Sequence, residues 1–134
     1  PALLRSDYVP DVHNRLTFYK RLAQVKNKED LYQIQEEIAD RYGKLTQEAK
    51  NLILTHRIRV EAKPLGVLKI DAGEDSIIFT FKDKPSFDPG KFFRMIQANR
   101  NMRMLGPNRL RLETYSDTAE KRGDNILRIL KERK

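Results

Sequence analysis

The chain has 134 residues, of which 27 are Lys or Arg and 19 are Asp or Glu, so its formal net charge is +8. It has no cysteine, which excludes disulfides, thiolate metal sites and cysteine nucleophiles. No apolar run approaches the roughly 18 residues of a membrane span, and the first residues lack the charged-then-apolar pattern of a signal peptide. The length fits one compact domain, and the excess of positive charge points first to an anionic partner.

Apolar side chains at spacings of three and four predict three amphipathic helices before residue 65. The first covers residues 11–25, and Asn27 is predicted to cap the second, which Gly43 ends. Thr46 is predicted to cap the third, which ends at Pro64. The inward stripe of the first helix is predicted to be Val12, Leu16, Tyr19 and Ala23, widened by Phe18 and Leu22. The corresponding stripes are Leu31, Ile34, Ile38 and Tyr42 in the second helix, and Ala49, Leu52, Ile53, His56 and Val60 in the third.

In the second half of the chain, apolar residues recur at every second position. This alternation predicts short strands at residues 66–70, 77–81, 102–105 and 110–114. Turn residues separate the members of each pair, so we expect two hairpins. The resulting fold class is α+β: an N-terminal helical segment (about 11–64), then a small antiparallel sheet built as hairpin-helix-hairpin and a C-terminal helix (about 65–134). We expect residues 1–134 to form a single domain.

Two further helices complete the predicted sheet part. Asp88 followed by Pro89 is a favourable helix start, and Asp117 with Glu120 resembles a capping box. The inward residues are predicted to be Phe92, Phe93 and Ile96 in the first of these helices, and Ile126, Leu127 and Leu130 in the second.

The sequence offers little for catalysis. Its two histidines, His13 and His56, are predicted to lie on an exposed first turn and at a core boundary. The glycines are isolated, so no phosphate-binding loop is predicted. Asp71, Glu74 and Asp75 allow two interpretations, a carboxylate metal site or a solvated hairpin turn, and the turn is favoured because the calcium-loop spacing is missing.

Residues 29–40 contain five acidic side chains and no basic one, which leaves 14 acids against 27 bases elsewhere. Glu37 and Asp40 are three residues apart and share one helix face, whereas Glu36 and Asp40 are four apart and repel each other mildly. Carboxylates near the C-terminal end of a helix also oppose its dipole. Either this is a solvated acidic face, or a partner with arginines offsets the local cost.

Residues 91–111 show the opposite pattern, with six basic side chains and no acid. Such a stripe can contact phosphates, although alternation with Leu110 and Leu112 is also typical of an ordinary half-exposed strand. A nucleic-acid-binding module that contacts DNA phosphates is therefore the alternative function. The candidate phosphate contacts are Lys91, Arg94, Arg100, Arg103, Arg109 and Arg111.

Four stretches resemble, in chain order, the C-terminal domain of the bacterial transcription-repair coupling factors (TRCF, also called Mfd). They are residues 8–16 (YVPDVHNRL) with 19–22 (YKRL), 37–43 (EIADRYG), 65–70 (LGVLKI) and 105–110 (LGPNRL). The first two motifs are the specific ones, and together the four span nearly the whole chain.

This resemblance implies a regulatory domain that docks on the UvrB-like module of the same protein. Docking would mask the surface that UvrA binds and would repress an ATP-dependent DNA translocase that displaces stalled RNA polymerase. ATP and Mg²⁺ would bind in motor domains outside this chain, so the resemblance implies no cofactor and no enzymatic activity here. It further implies a monomer in the bacterial cytoplasm. Carried over by motif, Glu37 and Asp40 would meet partner arginines, with Glu36 and Arg41 beside them.

Overall fold

The structure is a computed structural model of the chain, and it describes residues 2–82 and 89–132, without the side chains of residues 89, 91, 92, 119 and 130–132. Three helices are followed by a hairpin, a helix, a second hairpin and a last helix, so the predicted α+β class is confirmed. The helices are α1 (Val12–Gln24), α2 (Lys28–Tyr42), α3 (Gln47–Ala62), α4 (Pro89–Ala98) and α5 (Ala119–Glu132). The strands are β1 (Val67–Ala72), β2 (Ser76–Phe81), β3 (Met102–Met104) and β4 (Arg109–Glu113).

Two compact units divide the chain, residues 1–60 and residues 61–134. The first unit contains α1, α2 and most of α3 around one apolar core. Both predicted caps of this unit are confirmed, because the side chain of Asn27 accepts from the Asp30 N–H at 2.8 Å and that of Thr46 from the Ala49 N–H at 3.1 Å. The buried residues of this core are Leu4, Val9, Phe18, Leu22, Val25, Leu31, Ile34, Ile38, Ala49, Leu52, Ile53 and Val60.

The face that α1 buries differs from the predicted one. Val12 and Leu16 are 59% and 60% exposed, and Ala23 is exposed as well, so their predicted inward orientation is wrong. The helix buries Phe18 and Leu22 instead. Its apolar residues form two stripes roughly a third of a turn apart, and the one that faces the core carries Phe18 and Leu22.

The second unit is built on a four-stranded antiparallel sheet with strand order β1-β2-β4-β3. Along β2, Ile77, Phe79 and Phe81 are buried, and Leu112 and Leu110 of β4 lie opposite Ile77 and Phe79. Alternate residues of a strand point to opposite faces. One face of the sheet is therefore apolar and buried, and the other carries the intervening positions, which on β2 and β4 are polar except for Ile78.

Several predictions about the helices of the second unit need correction. Phe93 is 62% exposed, so its predicted inward orientation is wrong. The cap of α5 is Thr118, whose hydroxyl accepts from the Lys121 N–H at 3.1 Å. Asp117 instead lies 3.0 Å from Lys121 in an ion pair. The helix buries Ile126, as predicted, together with Ile129.

Part of the predicted pattern lies outside the described residues, namely Asp88 and the side chains of Phe92 and Leu130. Across residues 2–82 and 89–132, no helix combines the length and the apolar character needed to cross a membrane.

Phe79→Ala and Phe93→Ala should differ sharply in their effect on stability. Phe79 is fully buried on a central strand, and we expect its truncation to lower the free energy of unfolding by about 3–5 kcal/mol. Phe93 is largely solvated, so the same truncation should cost no more than about 0.5 kcal/mol. Urea denaturation followed by far-ultraviolet circular dichroism measures both, and equal losses would contradict the assignment of Phe93 to the surface.

Candidate docking site

Two acidic side chains of α2, Glu36 and Asp40, lie on the side of the helix away from its core contacts. Leu31, Ile34 and Ile38 are buried, and residues 36 and 40 lie on the opposite side of a helix with 3.6 residues per turn. Glu36 and Asp40 are accordingly exposed. Neither has an ion-pair or hydrogen-bond partner within the described part of the chain. Two free carboxylates, one helical turn apart, therefore face solvent.

Glu37 differs from its neighbours because α1 supplies it with a partner. The guanidinium of Arg21 donates from both terminal nitrogens to the two carboxylate oxygens, at 2.6 and 3.2 Å. This is the bidentate arrangement in which Arg–carboxylate pairs are strongest. The hydrogen bond from Arg21 is the main reason that the pKa of Glu37 is lowered. Glu37 is thus an ionised carboxylate held in a fixed orientation.

Arg41 links this carboxylate to the aromatic residues between α1 and α2. One of its terminal nitrogens lies 3.8 Å from Glu37, and its guanidinium carbon lies 5.5 Å from the ring centre of Phe18 and 5.2 Å from that of Tyr42. Arg21 approaches Phe18 at the same distance, 5.5 Å. Two cations are therefore positioned by one buried ring through cation–π contacts, and both reach Glu37.

The two specific sequence motifs meet beside this cluster. The hydroxyl of Tyr8 donates to the carbonyl oxygen of Gly43 at 2.7 Å, and the rings of Tyr8 and Tyr42 are 6.0 Å apart. Gly43 has a φ of +89°, which a residue with a side chain rarely adopts. The bond from Tyr8 thereby fastens the segment before α1 to the end of α2. Residues 8–22 and 37–43 form one structural cluster.

The sequence-predicted residues of the acidic face are thus partly brought together. Glu36 and Asp40 share the outward side of α2, as expected from their spacing, whereas Glu37 and Arg41 lie towards α1, where they contact Arg21 and Phe18. Arg21 was missed as a member, although it lies within the first motif. Its place within that motif is the only feature of the sequence that points to this role, because a contact between residues 16 positions apart produces no periodic pattern.

The six basic candidates of residues 91–111 do not form one surface. Arg103 lies on β3, and Arg109 and Arg111 lie on β4. Arg94 is on α4 and Arg100 is in the turn after it, both exposed. The side chain of Lys91 lies outside those described.

The histidines have ordinary surroundings. His13 is exposed, as predicted, and His56 is half-buried. Loss of solvation, followed by the nearby Arg59, lowers the pKa of His56, so it is neutral near pH 7. Within residues 2–82 and 89–132, no three His, Asp or Glu side chains lie together in a way that could hold a metal ion.

Comparison with known proteins gives a consistent result. The TRCF domain family matches residues 1–92. The chain is 36% identical to a transcription-repair-coupling factor of Haemophilus influenzae, over 87% of this chain and 11% of the relative. It is 34% identical to one of Escherichia coli, over 91% of this chain and 10% of the relative. The chain therefore spans about a tenth of the length of the curated relatives it matches.

A solved structure has a similar fold. It is described as the C-terminal domain of transcription-repair coupling factor, and it superposes with a TM-score of 0.72 over 99% of this chain and 91% of that one. Sequence identity between the two is 17%, so this likeness concerns the fold.

Glu37→Gln should reveal the Arg21 pair as a stabilising contact that depends on pH. The lowered pKa of Glu37 means that the pair is complete above the ordinary glutamate pKa of about 4.3. Its contribution is lost as the pH falls through the lowered value of the folded state. The Glu37 side chain is 40% exposed, so solvent and salt screen the pair. We therefore expect a loss of only about 0.5 kcal/mol at pH 7.

Urea denaturation at neutral and acidic pH checks this expectation. The difference between the parent chain and Glu37→Gln should vanish in acid and shrink in high salt. Glu36→Gln is the matched control, because Glu36 has no partner in the described structure and is repelled by Asp40, so its neutralisation should not lower stability. An effect of Glu37→Gln that is equal at both pH values would contradict a charge-based contribution.

Proposed function

The chain belongs to the TRCF domain family, and on that premise we propose that it is a regulatory docking domain of a transcription-repair coupling factor. In this proposal it binds the UvrB-like module of the same protein and masks the surface used by UvrA. The domain performs no chemistry of its own. ATP-driven movement on DNA, with its Mg²⁺, belongs to motor domains elsewhere in a cytoplasmic parent protein that displaces stalled RNA polymerase.

The outward acidic face of α2 is the observation that carries the proposal. Glu36 and Asp40 are exposed and have no partner within the described residues, so their carboxylates are available to another molecule. Guanidinium groups match carboxylates in a planar, two-bond geometry. A module that presents arginines would therefore relieve the repulsion between the two carboxylates and gain charge-assisted hydrogen bonds.

Glu37 contributes to such a face in a different way. An ionised carboxylate has about four acceptor positions, and Arg21 occupies only two of them. Arg41, at 3.8 Å, is too distant for a hydrogen bond. Glu37 can thus accept hydrogen bonds from a partner arginine while Arg21 holds the carboxylate in place. Because the Glu37 side chain is already ordered before docking, binding costs less conformational entropy.

The chain can act as a switch if docking is only moderately strong. A population shift toward the undocked state needs a ligand that favours that state by a few kcal/mol. Stalled RNA polymerase or DNA bound elsewhere on the parent protein would supply this preference. Because the docking contacts are exposed ion pairs, they should weaken as salt rises.

The double variant Glu36→Gln/Asp40→Asn should weaken binding of this chain to the separately produced UvrB-like module at least tenfold, which corresponds to about 1.4 kcal/mol. Titration calorimetry across a salt series measures this loss, and the difference from the parent chain should shrink as salt rises. In the full-length protein the same variant should raise UvrA binding and basal ATPase activity.

Glu74→Gln/Asp75→Asn is the control, because it removes the same charge from the exposed turn between β1 and β2. It should leave binding and activity at the parent level. The proposal fails if both double variants behave alike, or if neither changes UvrA binding and basal ATPase activity.

A further inference from the structure

The outer face of the sheet in the second unit carries a cluster of positively charged side chains. Ile77 and Phe79 of β2 lie opposite Leu112 and Leu110 of β4 on the buried face. The residues between them therefore point to the other side. On β4 these are Arg109, which is exposed, and Arg111, which is half-buried.

The strand register gathers further cations on this face. Arg103 of β3 is directly opposite Arg111, and Thr80, which lies opposite Arg109, faces Lys69 of β1 on its other side. Arg103, Arg109 and Arg111, three of the six basic residues of 91–111, therefore lie on the same sheet face as Lys69 of the first hairpin. The spacing of these residues in the sequence does not indicate that they share a face.

These cations are incompletely neutralised. Two like charges directly opposite each other destabilise a sheet. Arg103 and Arg111 are such a pair, and a single carboxylate lies near both of them. An oxygen of Glu113 lies 3.8 Å from a terminal nitrogen of Arg103 and 3.6 Å from Nε of Arg111. Both distances exceed that of a hydrogen bond, and Nε of Arg111 has no hydrogen-bond partner among the described residues.

Lys69 and Arg109 are the other two cations on this face. Lys69 lies 3.6 Å from Asp71, with both side chains more than half exposed. Arg109 is exposed and has no partner in the part of the chain that is described. The face therefore presents four cations and two carboxylates, and an added anion would lower its electrostatic energy.

We propose that this outer sheet face, formed by Lys69, Arg103, Arg109 and Arg111, binds the phosphate backbone of duplex DNA. Guanidinium groups bind phosphate in the same bidentate manner as carboxylate, and the sheet holds three of them at fixed spacing. The strand positions between these cations carry Ile78 and Thr80, and the rings of Phe79 and Phe81 are buried. No ring of β2 is thus offered to unstacked bases, and this favours a duplex over a single strand.

This contact does not distinguish one DNA sequence from another, because the phosphate groups are the same at every base step. It supplies a weak, salt-dependent hold on DNA. The residues involved are distinct from the acidic face of α2, so this inference stands or falls independently of the docking function.

The test measures binding of the 134-residue chain to a short fluorescent duplex by anisotropy across a salt series. For the parent chain, log K should fall linearly with log salt with a slope of about −3.6, because each of the four neutralised phosphates contributes about −0.9. In Lys69→Gln/Arg103→Gln/Arg109→Gln the slope should fall to about −0.9, the share of Arg111, and binding at low salt should weaken at least tenfold. Arg111 is kept because it is half-buried. The single variant Arg109→Gln, which breaks no contact in the described structure, should reduce the slope by about one.

Arg94→Gln/Arg100→Gln/Arg128→Gln is the matched control, since it removes three exposed charges located off this face. It should keep the parent slope. Equal losses in the two triple variants would show that net charge alone binds DNA and would overturn the proposal. The proposal also fails if the chain does not bind duplex at low salt, if single-stranded DNA binds as tightly, or if polyglutamate displaces the duplex at equal charge concentration.

Discussion

Burial of Phe18 between α1 and α2 is the contact on which the first unit depends. The ring is 2% exposed, and burying it turns α1 so that Arg21 faces α2. From there Arg21 reaches Glu37 with two hydrogen bonds, while Arg41 approaches the same ring from α2. A single apolar burial, which stabilises by about 1.5–3 kcal/mol, thus organises a set of charges whose own net contribution is smaller.

The net charge of +8 conceals two surfaces of opposite sign. The acidic surface is on α2, where the free carboxylates of Glu36 and Asp40 face outward. The basic surface is the outer face of the sheet, where Arg103 and Arg111 are paired across two strands. In each case like charges lie close together at a local cost, and a partner of opposite sign would remove that cost. Membership of the TRCF domain family gives the acidic surface its proposed partner.

Local features of the fold could be predicted from the sequence, because they depend on neighbours in the chain. The caps at Asn27 and Thr46 follow from side chains that reach backbone N–H groups three residues on. The alternation along β4 follows from the strand period of two. Prediction was wrong where the sequence offered two local solutions. On α1, two apolar stripes competed for the core, and at α5 Asp117 and Thr118 were both acceptable caps.

The sequence by itself determined the α+β class, most of the elements and the family, and it singled out Glu36, Glu37 and Asp40. Only the tertiary structure decided that Arg21 is bound to Glu37, that Phe93 lies at the surface, and that Lys69 joins the arginines of β3 and β4. The physical reason is the range of the interactions. Caps and periodicities are settled within a few residues, whereas pairing across strands or helices depends on register and on which face is buried.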